Sequence, residues 1–199
     1  MPIKNVSPFL SVRAGFTIKT LIALLFMGVY CMLGTGNAYE AAYPKTPNGT
    51  IEIKTIPAAK LMVTESAGGY FDRNNDMFMR LFRYISANDV SMTVPVEAQV
   101  ENAQMKFYVG SADSAKNLPE QGEVKVVNLP ERTVVSIGIR GSYTKEKFEK
   151  NREKLAAWLR ENPRYQPAGA AYAVYWDAPF VPWFLKHSEV HIPVTEKKN

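Results

Sequence analysis

Side chains that commonly carry catalysis are scarce in this chain of 199 residues. Its two histidines are His187 and His191, and on an extended strand their Cα atoms would lie about 13 Å apart. That separation is too long for both to bind one metal ion without a bend, so structural or surface roles are favoured. The sequence also contains no HExxH, GxSxG or phosphate-loop motif. None of the usual catalytic constellations is therefore indicated.

A stretch at 74–87 predicts an amphipathic helix, because apolar residues recur at i, i+3, i+4 and i+7. The residues predicted to face the core are Phe78, Leu81, Phe82 and Ile85. In that orientation Asn75, Met79 and Arg83 share a second stripe near solvent. This stripe offers an apolar contact one turn from a cation, as a binding surface for a flat acidic ligand would. A helix surface of ordinary mixed composition is an equally good interpretation.

Three separated motifs occur in an order that resembles the SOUL/heme-binding-protein family. The first joins the helix to a Met-Thr-Val-Pro-Val strand start at 92–96, and the second is a Met-Lys-Phe strand at 105–107. The third is a Tyr-Trp-Asp-Ala-Pro-Phe turn at 175–180, followed by Ser-Glu-Val at 188–190. The resemblance covers about 50–194. It implies a small α+β domain that binds a tetrapyrrole, and it does not imply a reaction.

The resemblance also implies where the ligand lies. Members of the family are thought to hold heme non-covalently against this helix, with basic side chains near the propionates. Arg83 falls on a basic family position, and Arg80 or Arg73 could replace a second one, which falls on Asn75. No histidine lies between 39 and 186, so the axial ligand stays open. The predicted heme-binding residues are Phe78, Met79, Arg80, Phe82 and Arg83.

A second notable segment is Pro-Phe-Val-Pro-Trp-Phe-Leu at 179–185, which places three aromatic side chains close to two prolines. Packing over one end of a barrel would account for it. A lid or rim of a ligand groove is an alternative, as is a peripheral membrane or protein contact through Phe180, Trp183 and Phe184. The sequence leaves these alternatives open.

The N-terminal 38 residues have the pattern of a secretory signal peptide. They contain three cations and no acid, an almost wholly apolar run at 21–33, and Gly-Asn-Ala at 36–38. Cleavage after Ala38 and export to the periplasm are predicted. Even counted from Ile18 to Leu33, the segment has 16 residues, fewer than the roughly 20 that span a bilayer. An uncleaved membrane anchor is the alternative.

Composition limits what the exported chain could do. Loss of the leader lowers the formal net charge from +5 to +2, and no run of basic residues remains, so no nucleic-acid partner is predicted. The single cysteine, Cys31, leaves with the leader, which excludes disulfides and a cysteine nucleophile. The remaining residues, 39–199, have the size of one domain, and we expect a monomer.

An internal repeat organises the predicted elements. A shift of 73 residues places Ile56 and Pro57 on Leu129 and Pro130, and Tyr70 on Tyr143. Each half is predicted to begin with a hairpin and to continue into a helix. The predicted hairpin strands are 51–56 with 60–66 and 124–129 with 133–139, the helices are 74–87 and 145–161, and the later strand pairs are 93–100 with 105–110 and 171–176 with 189–194.

The predicted fold class is α+β. Two duplicated β-rich halves, related by a pseudo-twofold axis, would form one curved, mostly antiparallel sheet or distorted barrel with two external helices. The favoured function is an exported, noncatalytic protein that buffers or transports heme or a related tetrapyrrole in a shallow apolar groove. One alternative is an enzyme acting on heme or another small hydrophobic molecule through Glu65 or Tyr108. Another is a membrane or protein interaction module.

Overall fold

Two helices and eleven strands make up the computed structural model, which describes residues 39–197. The helices are α1 (Tyr70–Ala87) and α2 (Lys145–Glu161). The strands are β1 (Glu40–Ala41), β2 (Ile51–Ile56), β3 (Ala59–Glu65), β4 (Thr93–Val94), β5 (Val96–Gln99), β6 (Gln104–Tyr108), β7 (Lys125–Leu129), β8 (Arg132–Arg140), β9 (Tyr165–Pro167), β10 (Tyr172–Tyr175) and β11 (His187–Glu196).

The predicted signal peptide, including Cys31, lies outside the described residues, so its cleavage and the export of the chain stay predictions. Within 39–197, neither helix has the length and apolar character needed to cross a bilayer.

Helix α2 has the predicted bounds and cap. The Thr144 hydroxyl accepts a hydrogen bond from the backbone N–H of Lys147 at 3.3 Å, which satisfies one free donor of the first turn. Phe148, Leu155 and Leu159 are buried, as the spacing predicted. Local sequence therefore determines this helix well.

Helix α1 begins four residues earlier than predicted, and its buried face is rotated. The predicted inward orientation of Phe82 is wrong, because its side chain is 43% exposed. The residues that are buried are Tyr70, Met77, Leu81, Tyr84 and Ile85. This buried stripe fits the helical period as well as the predicted one does. The hydroxyl of Tyr84 donates to Pro119 O at 2.7 Å, so the tyrosine is buried without an unpaired polar group.

The main sheet is antiparallel and strongly curled, and its strand order is β2-β8-β11-β10-β5-β6-β3-β7, with β9 paired to β11. Strands β5 and β10 are adjacent at its centre. The α+β class, the curved antiparallel sheet and the two helices are thus confirmed.

The two predicted hairpins do not form. Strand β2 pairs with β8, and β3 pairs with β7, so each of these strands has a neighbour from the other half of the chain. Strands β3 and β8 also pair within their own halves, with β6 and β11 respectively. Pro-Ala and Pro-Glu links follow β2 and β7, and neither has the positive φ that tight two-residue hairpin turns require. Ile56 lies opposite Arg132 and Leu129 lies opposite Ala59, a pair of positions related by the 73-residue shift. The duplication itself stays a prediction.

The two faces of the sheet carry different chemistry because side chains alternate along each strand. On β10, Ala173 belongs to an apolar core that includes both helices. Its neighbours Tyr172 and Val174 belong to a second cluster on the opposite face. We call these the helix face and the polar face, since buried charged residues accompany the second cluster.

Candidate functional site

A cleft lies between α1 and the segment that follows β10. It consists of two adjoining cavities with volumes of about 370 Å³ and 270 Å³. Ligand sites commonly occupy roughly 300–1,000 Å³, so the combined space is large enough for a sizeable small molecule. The residues that line both cavities are Phe78, Val96, Tyr175, Asp177 and Pro179.

Helix α1 provides the first wall. Phe71, Asn75, Phe78 and Phe82 recur every three or four residues and line the cleft as one stripe. The rings of Phe78 and Phe82 are stacked, with centroids 6.1 Å apart, and Phe78 also meets the buried ring of Phe107 edge to face at 5.3 Å. The result is a flat aromatic surface that is anchored in the core at one end and open at the other.

Tyrosine rings form the floor. Tyr175, at the end of β10, lies 4.4 Å from Tyr143 and 6.3 Å from Tyr70, measured between ring centroids. Burial raises the pKa of all three phenols, so they are neutral at physiological pH. The hydroxyl of Tyr143 donates to His187 O at 2.8 Å and accepts from the N–H of Asp177 at 3.2 Å. Tyr143 thereby connects the floor to both ends of the segment that runs from Asp177 to His187.

The segment 177–186 forms that opposite wall. Asp177, Pro179, Trp183 and Lys186 line the larger cavity, and Phe180 lines the smaller one. Of the alternatives that the sequence left open for this segment, the rim of a groove matches its position.

The cleft is polar at one end and apolar at the other. The smaller cavity has apolar side chains at its far end, namely Tyr39, Phe82, Met92, Val94 and Phe180. The larger cavity adds the polar groups Asn74, Asn75, Ser142 and Lys186. Among the described residues that line these cavities, Lys186 carries the only positive charge. Its ammonium group lies 5.1 Å from the centroid of Tyr143 and donates to Pro179 O at 3.1 Å.

The predicted heme-binding residues divide into two groups. Phe78 and Phe82 line the cleft, whereas Met79, Arg80 and Arg83 line neither cavity. Met79 is half-buried and Arg83 is exposed. The guanidinium of Arg80 donates to Glu65 O at 3.0 Å and pairs with the Glu123 carboxylate at 2.8 Å, away from the cleft. Whether these five residues bind heme stays a prediction.

Sequence reasoning did not predict the tyrosine floor. Tyr70 and Tyr143 occupy equivalent positions under the 73-residue shift, and that coincidence was the available signal. Tyr175 belongs to the third family motif, but nothing in the sequence indicated that the three rings meet. Lys186 was not among the predicted binding residues, because its position on the cleft depends on the path of the segment before β11.

The polar face contains a buried carboxylate, Glu189, with many partners. Burial alone would raise its pKa, but the hydrogen bond from His191 and the charge of Lys54 outweigh burial and lower the pKa to about 2. Its donors are Thr46 N at 2.8 Å, Thr46 Oγ1 at 3.1 Å, Lys54 Nζ at 2.7 Å, Ser136 Oγ at 2.9 Å, Trp176 Nε1 at 2.7 Å and His191 Nε2 at 2.6 Å. The carboxylate is thus fully engaged by the protein itself.

A second buried carboxylate lies on the same face. Glu97 accepts hydrogen bonds from the hydroxyl of Tyr108 and from the guanidinium of Arg132. Tyr108, one candidate for an enzymatic role, is therefore buried away from the cleft, and the other candidate, Glu65, is exposed and lines neither cavity.

A family model described as SOUL heme-binding protein matches residues 38–193. The chain belongs to the SOUL heme-binding protein family. Membership supports heme or tetrapyrrole binding by this domain. A search of curated protein sequences returned no match.

Solved structures share the fold of this SOUL domain. The C-terminal domain of EcmrR superposes with a TM-score of 0.60 at 14% identity, over 74% of this chain and 98% of that one. A hydrolase from Listeria innocua superposes with a TM-score of 0.51 at 10% identity, over 75% of this chain and 94% of that one. At such low identity the likeness concerns the fold alone.

Proposed function

We propose that this protein binds heme, or a related tetrapyrrole, non-covalently in the cleft between α1 and segment 177–186. The observation that carries the proposal is the polarity of the cleft: aromatic walls enclose an apolar end, and a lysine lies at the other. A tetrapyrrole has the same asymmetry, because its ring is flat and apolar whereas its propionates are anionic and lie on one edge.

The residues of the cleft fit such a ligand. Phe78 and Phe82 would contact one face of the ring, and Pro179 and Trp183 the other. Tyr175 would contact the inner edge. These contacts remove apolar surface from water, which favours binding by roughly 25 cal/mol for each Å² buried.

The propionates would lie at the polar end. Lys186 would supply a positive charge there, and the side-chain amides of Asn74 and Asn75 would donate hydrogen bonds. Arg83 and Arg80, which the family resemblance selects, lie outside the cavities. They would contact the ligand only if part of it extended over the solvent side of α1.

The proposed role is buffering or transport by an exported protein. Heme supplies a redox-active iron when bound, and the protein would hold the ring and keep water from its inner edge. A shallow, open cleft suits reversible binding, because the ligand can leave without disrupting the core. The signal-peptide pattern of residues 1–38 supports export, and the mass of protein purified from the periplasm tests cleavage after Ala38.

A hemin titration followed by the Soret band tests the proposed site. We expect a saturable one-to-one spectral shift, with binding weakened roughly tenfold in Lys186→Glu, which repels the propionates, and in Phe82→Ser, which removes a ring contact. Both side chains are at the surface, so the fold should survive, and circular dichroism checks this.

Arg83→Glu is the matched control, since it makes the same charge change outside the cleft. If only Arg83→Glu weakened binding, the ligand would lie over the solvent side of α1 and the cleft would be the wrong site. Absence of any saturable shift in the wild-type protein would overturn tetrapyrrole binding altogether.

A further inference from the structure

Four apolar side chains protrude from residues 179–185, which we call the aromatic loop. Phe180 is 83% exposed, Trp183 66%, Phe184 54% and Leu185 49%. A group of large apolar side chains exposed this far is unusual on a protein that stays in water. The aromatic loop therefore has the properties of an interaction surface.

The exposure comes from an ordered conformation. Within the loop, the N–H of Leu185 donates to Pro182 O at 2.9 Å, and Val181 N donates to Ala178 O at 3.1 Å. The loop is also fixed to the sheet, because Arg140 Nε donates to Phe184 O at 3.0 Å. Two prolines restrict the backbone further. The loop therefore holds its apolar side chains outward before any partner binds. Binding a partner would then cost little further conformational entropy of the backbone.

A ligand in the cleft would cover only part of the loop. Phe180 and Trp183 line the cavities, but Phe184 and Leu185 are absent from the lining of both in the described structure. These two side chains would stay exposed in a loaded protein. Heme binding alone does not account for them.

The charges beside the loop are mainly positive, and Asp177, two residues before the loop, is the exception. Between Ala178 and Ser188 the chain contains Lys186 and no carboxylate. Arg140 contacts the loop at Phe184, and Lys147 Nζ donates to Arg140 O at 3.2 Å, which brings a third cation to the same side. Exposed tryptophan and phenylalanine next to lysine and arginine are typical of segments that lie at a membrane surface rich in anionic lipid.

We propose that the aromatic loop docks this protein on an anionic phospholipid membrane. Phe184 and Leu185 enter the boundary between headgroups and acyl chains, Trp183 lies at headgroup level, and Arg140 and Lys147 contact the lipid phosphates. This contact is peripheral, and it stands whether or not the cleft holds a tetrapyrrole.

Tryptophan fluorescence of the protein purified from the periplasm, mixed with lipid vesicles, tests the proposal. Trp176 is buried and Trp158 is half-buried, so a change on adding vesicles reports mainly on Trp183. We expect a blue shift with vesicles containing phosphatidylglycerol, little change with phosphatidylcholine alone, and a weaker response in high salt. The double variant Phe184→Ser/Leu185→Ser keeps the probe, and it should need roughly tenfold more anionic lipid for the same shift.

Phe82→Ser is the control, because it removes an exposed aromatic side chain from the cleft and leaves the loop intact. It should reduce hemin binding without changing the lipid dependence, whereas the double variant should do the reverse. Equal lipid dependence of the double variant and the wild type would overturn the proposal, as would an unchanged Trp183 signal with every vesicle. Either result would point to a protein partner for the loop, and the hemin titration would be unaffected.

Discussion

The polar face and the cleft both adjoin strand β10, and they differ in whether their polar groups are paired within the protein. Trp176 lies immediately after β10, is 3% exposed, and donates its indole N–H to Glu189 on the polar face. Tyr175, one residue earlier, faces the cleft. The polar face has carboxylates, a histidine and cations, but these groups are paired with one another. The cleft has few charges, and much of its aromatic surface has no protein partner.

Concentrated titratable groups are therefore a poor guide to the binding site of this molecule. Burying a charge is costly unless it is paired and hydrogen-bonded, and Glu189 meets that requirement with at least five donors. Such a group holds the fold in one arrangement. Open aromatic surface next to a single lysine is a better sign of a ligand site, because a ligand can still improve its environment.

Glu189→Gln should have the largest effect and most directly tests this contrast. The change leaves Lys54 without its buried countercharge and should lower the free energy of unfolding by about 3–5 kcal/mol. Urea denaturation measures it. The control is Glu123→Gln, which breaks an exposed pair with Arg80 and should cost less than about 1 kcal/mol. Equal, small losses in both variants would show that the polar face is not the main source of stability.

Acid should remove the stabilisation that Glu189 provides on the polar face, over a defined pH range. The pKa of Glu189 is lowered in the folded protein from 4.5 to about 2, so the unfolded chain binds its proton first. The stabilisation is complete above pH 4.5 and is lost as pH falls toward 2, by about 3 kcal/mol in total. Unfolding free energies measured across that range should decrease in the wild type. The decrease should be smaller in Glu189→Gln, and identical slopes would refute the assignment to Glu189.

Tyr143→Phe should have the smallest effect and concerns the cleft. It removes the hydroxyl that joins Asp177 N to His187 O and keeps the ring, so stability should fall by only about 1 kcal/mol. Hemin affinity should fall a few-fold, since the opposite wall loses a tether. Titration and thermal denaturation measure the two effects. Tyr165→Phe, far from this cleft on β9, should change neither.

Much of the fold could be predicted because it is encoded locally. The bounds of α2 follow from the cap at Thr144 and the apolar spacing after it. The rotation of α1 could not be predicted, since stripes containing Phe82 or Tyr84 both follow the helical period. The hairpins failed for a different reason: valine- and isoleucine-rich runs identify strands, but the partner of β2 lies some 80 residues further along the chain.

The site was predictable in part. The family motifs and the aromatic spacing led to Phe78 and Phe82, which do line the cleft. Tyr143 and Lys186 could not be found this way, because they reach the cleft from loops whose paths depend on the whole sheet. A site made where distant segments meet is visible in a sequence only through the segments that have a periodic pattern of their own.

The pairing of strands from opposite halves of the chain determines whether the domain could be divided. Because β2 needs β8 and β3 needs β7, neither half carries a complete set of neighbours. A fragment containing only one half would expose two unpaired strand edges, which favour aggregation over folding. Both halves are therefore needed together for the domain to fold.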